Sequence, residues 1–311
     1  MIVAVISEKL FRKLFPPRKL LVVYEEYDPT EFINKLNTRK DKYKVEQKIN
    51  VSAGLDIVEK EIKKYEGVVI YDVHSETRNK ILKFCYGNDI RAYSTTKVSD
   101  ILIRGAESLH IFDTPLLLYR NHGLSFEQRF LKRTMDILVS ALMLLITSPI
   151  FLVASIAIKL YDGGPVFYRQ ARCTMNGKVF HIFKFRSMIV DAEKDGKSQP
   201  AADHDPRITP VGRILRATRL DELPQLIDIL IGNMSLVGPR PERVEHVEKY
   251  TEDLAEFEYR LKVRGGLTGY AQIYGKYNTS PYDKLQLDLI YIQNYSIFLD
   301  IKLILMLSLI H

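Results

Sequence analysis

From Leu20 to about Thr114 the chain alternates short apolar runs with segments of helical period. Residues 20–24 (LLVVY) and 67–71 (GVVIY) are uninterrupted apolar runs, the pattern of strands buried on both faces. Residues 43–51 alternate as a half-buried strand does, and residues 90–93 read as a fourth strand. Between them, 55–65 and 77–86 repeat apolar positions at helical spacing, the second stopping at Gly87. An earlier helix opens at Asp28-Pro29-Thr30-Glu31, with Asp28 expected as its cap and Pro29 in its first turn. Strand and helix in alternation predict an α/β domain, a parallel sheet flanked by helices.

The pattern then changes. An uncharged run, 137–158, is long enough to cross a bilayer as a helix and is interrupted near its middle by Ser148-Pro149. Arg129, Lys132 and Arg133 precede it, and Lys159, Arg169 and Arg172 follow, so the positive-inside tendency puts both ends on the cytoplasmic face. Pro149 removes a backbone donor and bends the helix, and the Ser148 hydroxyl can satisfy a freed carbonyl. A re-entrant hairpin that enters and leaves by one face fits these facts. A kinked transmembrane helix and a buried core helix are the alternatives. A last apolar stretch, 297–310, has only Asp300 and Lys302 charged and is too short to span, which predicts an interfacial helix.

The expected organisation is a lead-in segment, 1–19, followed by a Rossmann-like regulatory or structural domain, 20–122. A linker, 123–131, follows, with Asn121-His122-Gly123 as the turn within a connector of 115–131. The second domain, 132–311, is mostly helical and holds the membrane helix 132–160 and the interfacial helix 297–310.

With 311 residues, 46% hydrophobic and 27% charged, the chain is globular, has room for two cores and is not a multi-span membrane protein. A net charge of +7 suits an anionic partner: nucleic acid, lipid headgroups or a phosphorylated substrate. Cys85 and Cys173 stand alone, which excludes a CxxC zinc site or a disulfide framework and predicts a reducing compartment. The apolar residues 1–6 are too few for a signal-peptide core. After the first strand comes Glu25-Glu26-Tyr27-Asp28-Pro29, with no glycine loop and with charges that repel a pyrophosphate, so dinucleotide binding is not expected there.

Chemistry concentrates in 205–242. Arg213 and Arg216 share a helix face at i and i+3, and Asp221-Glu222 follow directly before Pro224. A carboxylate pair among arginines can hold Mg²⁺ while guanidinium groups clamp phosphate, and one carboxylate can act as a nucleophile. A solvated pair at a helix start is the bland alternative. Pro239 and Pro241 bracket Arg240 and present its guanidinium on a stiff backbone. The glycines of Arg264-Gly265-Gly266-Leu267-Thr268-Gly269 allow close backbone approach to a ligand. Residues 180–188 (FHIFKFRSM) read as a strand whose polar face carries His181, Lys184 and Arg186.

These stretches occur in one order: Lys132-Arg133 with Asp136, Ser148-Pro149, 183–188 (FKFRSM), 191–193 (DAE), 205–209 (DPRIT), 220–226 (LDELPQL), 232–242 (GNMSLVGPRPE), 264–272 (RGGLTGYAQ) and 287–292 (LDLIYI). From 132 to about 305 the chain resembles the bacterial sugar transferases, the monotopic polyprenyl-phosphate phosphoglycosyl transferases. The resemblance implies transfer of a sugar 1-phosphate from a UDP-sugar to polyprenyl (undecaprenyl) phosphate. It implies Asp221 as nucleophile, a covalent aspartyl phosphosugar and release of UMP. It also implies Mg²⁺ held by Asp221 and Glu222, with Lys184, Arg186, Arg216, Arg240 and Arg264 around phosphate groups and Glu242 and Asp288 in support. A re-entrant helix broken at Ser148-Pro149, a site facing the cytoplasm at the bacterial inner membrane, and a first step in exopolysaccharide, capsule or O-antigen synthesis are implied as well.

Nucleic acid is not an expected partner, because carboxylates lie among the arginines. A homodimer joined through the first domain is an open expectation, and an inactive membrane scaffold is the alternative function. Two positions depart from the family pattern: the loop Arg264-Gly265-Gly266 has Gly where Pro is usual, and Tyr270 replaces a common Trp. Larger members carry transmembrane helices ahead of the Rossmann-like domain. Here the chain starts just before that domain, as a short form or one whose anchor is missing.

Overall fold

The computed structural model describes residues 16–119, 123–190, 192, 205–275 and 279–310, and the chain divides into two compact units between Thr96 and Lys97. Residues 1–15 of the expected lead-in 1–19, the turn residues Asn121 and His122, and Asp191 and Glu193 of the DAE motif lie outside the described residues.

The first unit runs β1 (Arg18–Tyr24), α1 (Thr30–Asn37), β2 (Tyr43–Asn50), α2 (Leu55–Ile62), β3 (Gly67–Tyr71), α3 (Ser75–Gly87) and β4 (Arg91–Ser94). The strands form one parallel sheet in the order β2-β1-β3-β4. Alternate side chains of β1 fill opposite faces: Leu21 and Val23 pack with Val58, Ile62 and Ile81, while Leu20 and Val22 pack with Phe32 and Leu36. Burial on both faces is why the strand reads as a continuous apolar run. The cap of α1 differs from expectation. Pro29 occupies the cap position without a side-chain bond, and the Asp28 carboxylate instead accepts from Thr30 Oγ1 at 3.0 Å and from Lys48 Nζ at 2.7 Å.

The second unit begins earlier than residue 123. Its first elements are α4 (Val98–Arg104) and an antiparallel hairpin of β5 (Glu107–Ile111) and β6 (Thr114–Leu118). Ile101 of α4 belongs to this unit's core, together with Phe257, Leu285 and Leu289, which moves the boundary forward. The expected connector is part strand and part helix. Ser125 and Gln128 form a reciprocal capping box that starts α5 (Phe126–Asp162) six residues ahead of the expected 132.

Helix α5 runs 37 residues without interruption, about 55 Å at the usual rise. It is long and apolar enough to cross a membrane. The expected break is therefore a proline inside helical backbone, not a loop. Pro149 offers no N–H to the Leu145 carbonyl, and Ser148 Oγ donates to that oxygen at 2.8 Å in its place. Leu142, Leu145, Ile146, Leu152 and Val153, around the proline, are exposed.

Both ends of α5 are held by the same unit. Near the start, buried Lys132 donates to Asp300 Oδ2 at 2.6 Å and to the Tyr291 hydroxyl at 3.0 Å. Arg133 donates to the carbonyls of Ile229 and Leu230 at 2.6 and 2.7 Å, and Asp136 accepts from Ser235 Oγ and Leu236 N at 3.0 Å. At the far end Ala154 and Ile158 pack with Phe185 and Leu215, and Asp162 pairs with Arg186. The Lys132-Arg133…Asp136 motif is thus a root that anchors the apolar helix.

The remainder comprises an antiparallel pair, β7 (Phe167–Cys173) and β8 (Val179–Phe185), then α6 (Pro210–Ala217), a 3₁₀ turn (Leu220–Glu222) and α7 (Gln225–Ile231). After these come β9 (Ser235–Val237), α8 (Val244–Asp253), a 3₁₀ segment (Ala255–Lys262), β10 (Gly266–Thr268) parallel to β9, α9 (Tyr270–Tyr274), α10 (Pro281–Gln293) and α11 (Ile297–Ile310). The expected terminal helix is present as α11, which buries Asp300 and Leu303 and exposes Phe298.

Candidate active site

The carboxylate pair stands on the 3₁₀ turn between α6 and α7. Thr209 caps α6, its Oγ1 accepting from Gly212 N at 2.9 Å, and the helix ends at Ala217. Arg219 then adopts a left-handed backbone, φ 57°, which turns the chain sharply into Leu220-Asp221-Glu222. A non-glycine residue held in that region directly before a carboxylate pair is a mark of a functional turn.

A cavity of about 660 Å³ opens here. Asp221, Glu222, Lys184, Arg186, Arg216 and Arg240 line it, so the fold brings together six of the residues singled out from sequence. Lys184 Nζ and Arg240 Nη2 each donate to Glu222 Oε1 at 2.8 Å. Burial pushes the Glu222 carboxyl up, but the charges and hydrogen bonds of Arg240 and Lys184 outweigh it and hold the group below the ordinary carboxylate range. Asp221 receives no hydrogen bond from the described residues. Burial, and then the charge of Glu222, raise its carboxyl against the pull of Lys184, Arg216 and Arg219. Two adjacent carboxylates thus have opposite characters: one is neutralised by cations, and the other is kept poorly solvated and open to the cavity.

Arg186 differs from expectation in part. Its guanidinium lines the cavity, yet it is buried and bonded to Asp162, so it ties the end of α5 to the cavity wall. Strand period also separates His181 from Lys184: positions 180, 182 and 184 share one face, and His181 is exposed on the other.

Glu242, Asp288 and Arg264 are not among the lining residues. Asp288 is buried against Arg260, whose Nε donates to Oδ2 at 2.9 Å and whose Nη2 donates to the Arg240 carbonyl at 3.0 Å. Glu242 lies 3.5 Å from Lys284 and 3.8 Å from Arg260. These two carboxylates therefore brace the Arg240 loop. The glycines of 264–269 serve close packing of backbone on backbone: a Cβ on Gly266 would meet Gly238 N at 2.0 Å, and one on Gly269 would meet Gly238 O at 2.1 Å.

Sequence reasoning missed Arg172, Arg219 and Arg243 as lining residues and Arg260 as the brace. Adjacency to the Pro239-Arg240-Pro241 loop was the signal available for Arg243. Arg172 and Arg260 become neighbours of the loop only through tertiary contacts.

Among the described residues of the first unit the recess is of a different kind. It measures about 400 Å³ and is lined by Arg18, Glu66, Asp89, Ile90 and Arg91, at the amino ends of β1, β3 and β4. Ligands of open α/β sheets sit at the carboxyl ends. There Glu25 and Glu26 face His74 at 3.2 and 3.3 Å, an acidic rim that disfavours a phosphate.

An arginine-lined cavity around a carboxylate pair thus shares one unit with a helix long and apolar enough to cross a membrane. The bacterial sugar transferase family matches residues 127–309, and the chain belongs to that family. It is 39% identical over 76% of its length to a UDP-glucose:undecaprenyl-phosphate glucose-1-phosphate transferase of Klebsiella pneumoniae, covering 50% of that protein. It is 40% identical over 56% of its length to a UDP-N-acetylgalactosamine-undecaprenyl-phosphate N-acetylgalactosaminephosphotransferase of Aeromonas hydrophila, covering 42% of it. An undecaprenyl-phosphate galactose phosphotransferase of Salmonella typhimurium is 38% identical over 61% of the chain, which covers 42% of that relative. The chain spans about half the length or less of these curated relatives.

Proposed function

We propose that the chain transfers a sugar 1-phosphate from a UDP-sugar to polyprenyl (undecaprenyl) phosphate through a covalent aspartyl phosphosugar, releasing UMP. The observation that carries this reading is the asymmetry of the pair: Glu222 is bound by two cations, while Asp221 is open to a cavity rich in arginine. An Asp221 oxygen attacks the sugar-bearing phosphorus, and the bond to the oxygen bridging the two phosphates breaks, so UMP leaves with that oxygen. A phosphate oxygen of the lipid then attacks the same phosphorus, and the acyl-phosphate bond breaks to regenerate the carboxylate. Lys184, Arg216, Arg219 and Arg240 supply the charge stabilisation on which phosphoryl transfer depends.

Mg²⁺ is part of this proposal. Asp221 is a hard oxygen donor with room for an ion, whereas Oε1 of Glu222 already accepts from two cations, so Asp221 fits as the protein ligand and Glu222 as its electrostatic neighbour. No group of three His, Cys, Asp or Glu side chains able to hold a metal occurs among the described residues. When bound, Mg²⁺ neutralises diphosphate charge.

Helix α5 is proposed to be re-entrant, entering the cytoplasmic leaflet of the bacterial inner membrane. A helix that crossed would carry its two ends to opposite sides, whereas Lys132 and Asp162 are both anchored in the second unit. Cysteines placed at exposed Phe126 and Tyr161 should both react with an impermeant reagent from the cytoplasmic side. Labelling from opposite sides would defeat this topology.

Relatives of similar identity are named for glucose, galactose and N-acetylgalactosamine, so the sugar needs a direct test. UMP release is measured from a panel of UDP-sugars with undecaprenyl phosphate and Mg²⁺. Release with one sugar identifies the donor. No release from a folded, membrane-bound protein would sink the proposal.

A further inference from the structure

The far half of α5 reaches the carboxylate pair without entering its cavity. Phe151, Ala154 and Ile158 stand at helical spacing on one face of the helix. They pack with Phe185 at the end of β8, with Val211 and Leu215 of α6, and with Leu220 and Leu223, which flank Asp221-Glu222. The ring centroids of Phe151 and Phe185 are 5.1 Å apart. Leu152, Val153, Ile156 and Leu160, from the other faces of this half, are exposed.

Asp162 continues the packed stripe at i+4 from Ile158 and is the last residue of the helix. Its Oδ1 accepts from Gly164 N at 3.1 Å, and Lys159 Nζ donates to the Gly163 carbonyl at 2.7 Å, so the helix end is fixed locally. Arg186 Nη1 donates to Asp162 Oδ2 at 2.9 Å, and Nη2 donates to Oδ1. The buried Nε of Arg186 has no partner among the described residues, so the guanidinium plane is set by Asp162. Three consecutive residues thus join the helix to the pair: Lys184 bonds Glu222, Phe185 packs on α5, and Arg186 is held by Asp162. Arg186 lines the cavity, and Asp162 does not.

We propose that Asp162 is a positioning residue. Acting through Arg186, it ties the last turn of the apolar helix to the end of β8 and so sets Lys184 and Glu222 beside Asp221. This rests on the reaction proposed above and adds to it a dependence of the chemistry on how α5 is seated. Reacting groups displaced by about 1 Å can lose roughly 100-fold in rate, so a tie outside the cavity has leverage on turnover.

The test measures kcat and KM for UMP release by the full chain in membrane vesicles, for wild type, Asp162→Asn, Arg186→Gln, the double variant and Gly164→Ala. Asp162→Asn keeps the side-chain shape and should lower kcat at least about fivefold, with KM for the UDP-sugar within about twofold. Once Arg186 is Gln, the same change should cost nothing further, because the partner it acts through is gone. Gly164→Ala strikes the tie from the other side: a Cβ there would meet Arg186 Nη1 at 2.5 Å and push it from Asp162. It should lower kcat by a similar factor. A merely structural role would reduce the amount of folded protein and leave kcat of the folded fraction and the KM unmoved. A fall in kcat of less than about fivefold in both single variants, a rise in KM alone, or losses that add in full in the double variant overturns the proposal. If Asp162→Asn does not fold, or Arg186→Gln releases no UMP, Gly164→Ala decides by the same criterion. A wild type that releases no UMP defeats the reaction itself, whereas one that releases it beside unaltered variants defeats only the role of Asp162.

Discussion

The two units handle charge in opposite ways. In the first, ion pairs lie on the surface: Lys80 with Glu76, Lys48 with Asp28, and Lys44 with Glu46 all retain substantial exposure. In the second, Lys132–Asp300 and Arg260–Asp288 are almost completely buried, and Lys184–Glu222 is mostly so. Exposed pairs contribute little to stability, and buried pairs are expensive to desolvate and often no better than apolar packing. A fold that needed stability alone would resemble the first unit throughout. The buried charges of the second unit mark where geometry matters more than stability: one pair roots an apolar helix, one braces the Arg240 loop, and one sets the carboxylate beside the proposed nucleophile.

Breaking that contrast begins with the largest effect. Asp221→Asn should lower turnover by at least about 10³-fold, because it removes the proposed nucleophile and keeps its shape. UMP release measures the loss, and circular dichroism should be unchanged. Activity retained within tenfold would remove Asp221 from the covalent role.

Next come the buried ions. Lys132→Ala leaves Asp300 buried with only Tyr291 as a side-chain donor among the described residues, and a broken buried pair costs roughly 3–5 kcal/mol. Hydrogen exchange resolved by peptide should show lost protection in 97–310, with β1 to β4 unaffected. The double change Lys132→Met with Asp300→Leu should recover most of the loss, since apolar side chains fill the space without a stranded charge. Equal loss of protection in both units would mean that they do not unfold separately.

What could be read from the chain divides along the same line. The sheet of the first unit was legible to within one or two residues at most strand ends, because runs such as 67–71 are buried on both faces and leave a continuous apolar signal. Asp221, Glu222, Lys184 and Arg240, which line one cavity, could be singled out because charged pairs and bracketing prolines stand out locally. The start of the second unit was not, since α4 joins its core through contacts with α10, far away in sequence. Nor could the brace be read: Arg260 meets Asp288 and the Arg240 carbonyl only in the folded chain. The glycines of 264–269 misled because close backbone approach to a ligand and to another strand leave one sequence signature.

Glu222→Gln tests the electrostatic half of the contrast, with a smaller effect. In the proposed reaction Asp221 must be ionised to attack, so activity should fall as pH drops through its carboxyl pKa. That pKa is raised first by burial and then by the negative charge of Glu222. Removing the charge takes away one raising influence and leaves Lys184 and Arg240 uncompensated, and both changes favour the ionised form. The acid limb of kcat should therefore move to lower pH, read as UMP release across the acidic range. A limb that stays in place would mean that Asp221 does not set it.

The smallest effect belongs to the surface of the first unit. Lys80→Ala removes the Glu76 partner on α3, an i,i+4 pair with both side chains largely in water. Solvent screens that interaction, and holding two long side chains in one geometry costs entropy that offsets the attraction. The unfolding midpoint should not move measurably, and UMP release should be unchanged. A clear shift would show that this surface pair is coupled to something the contrast between the units leaves out, and would weaken the inference that buried charge marks the working unit.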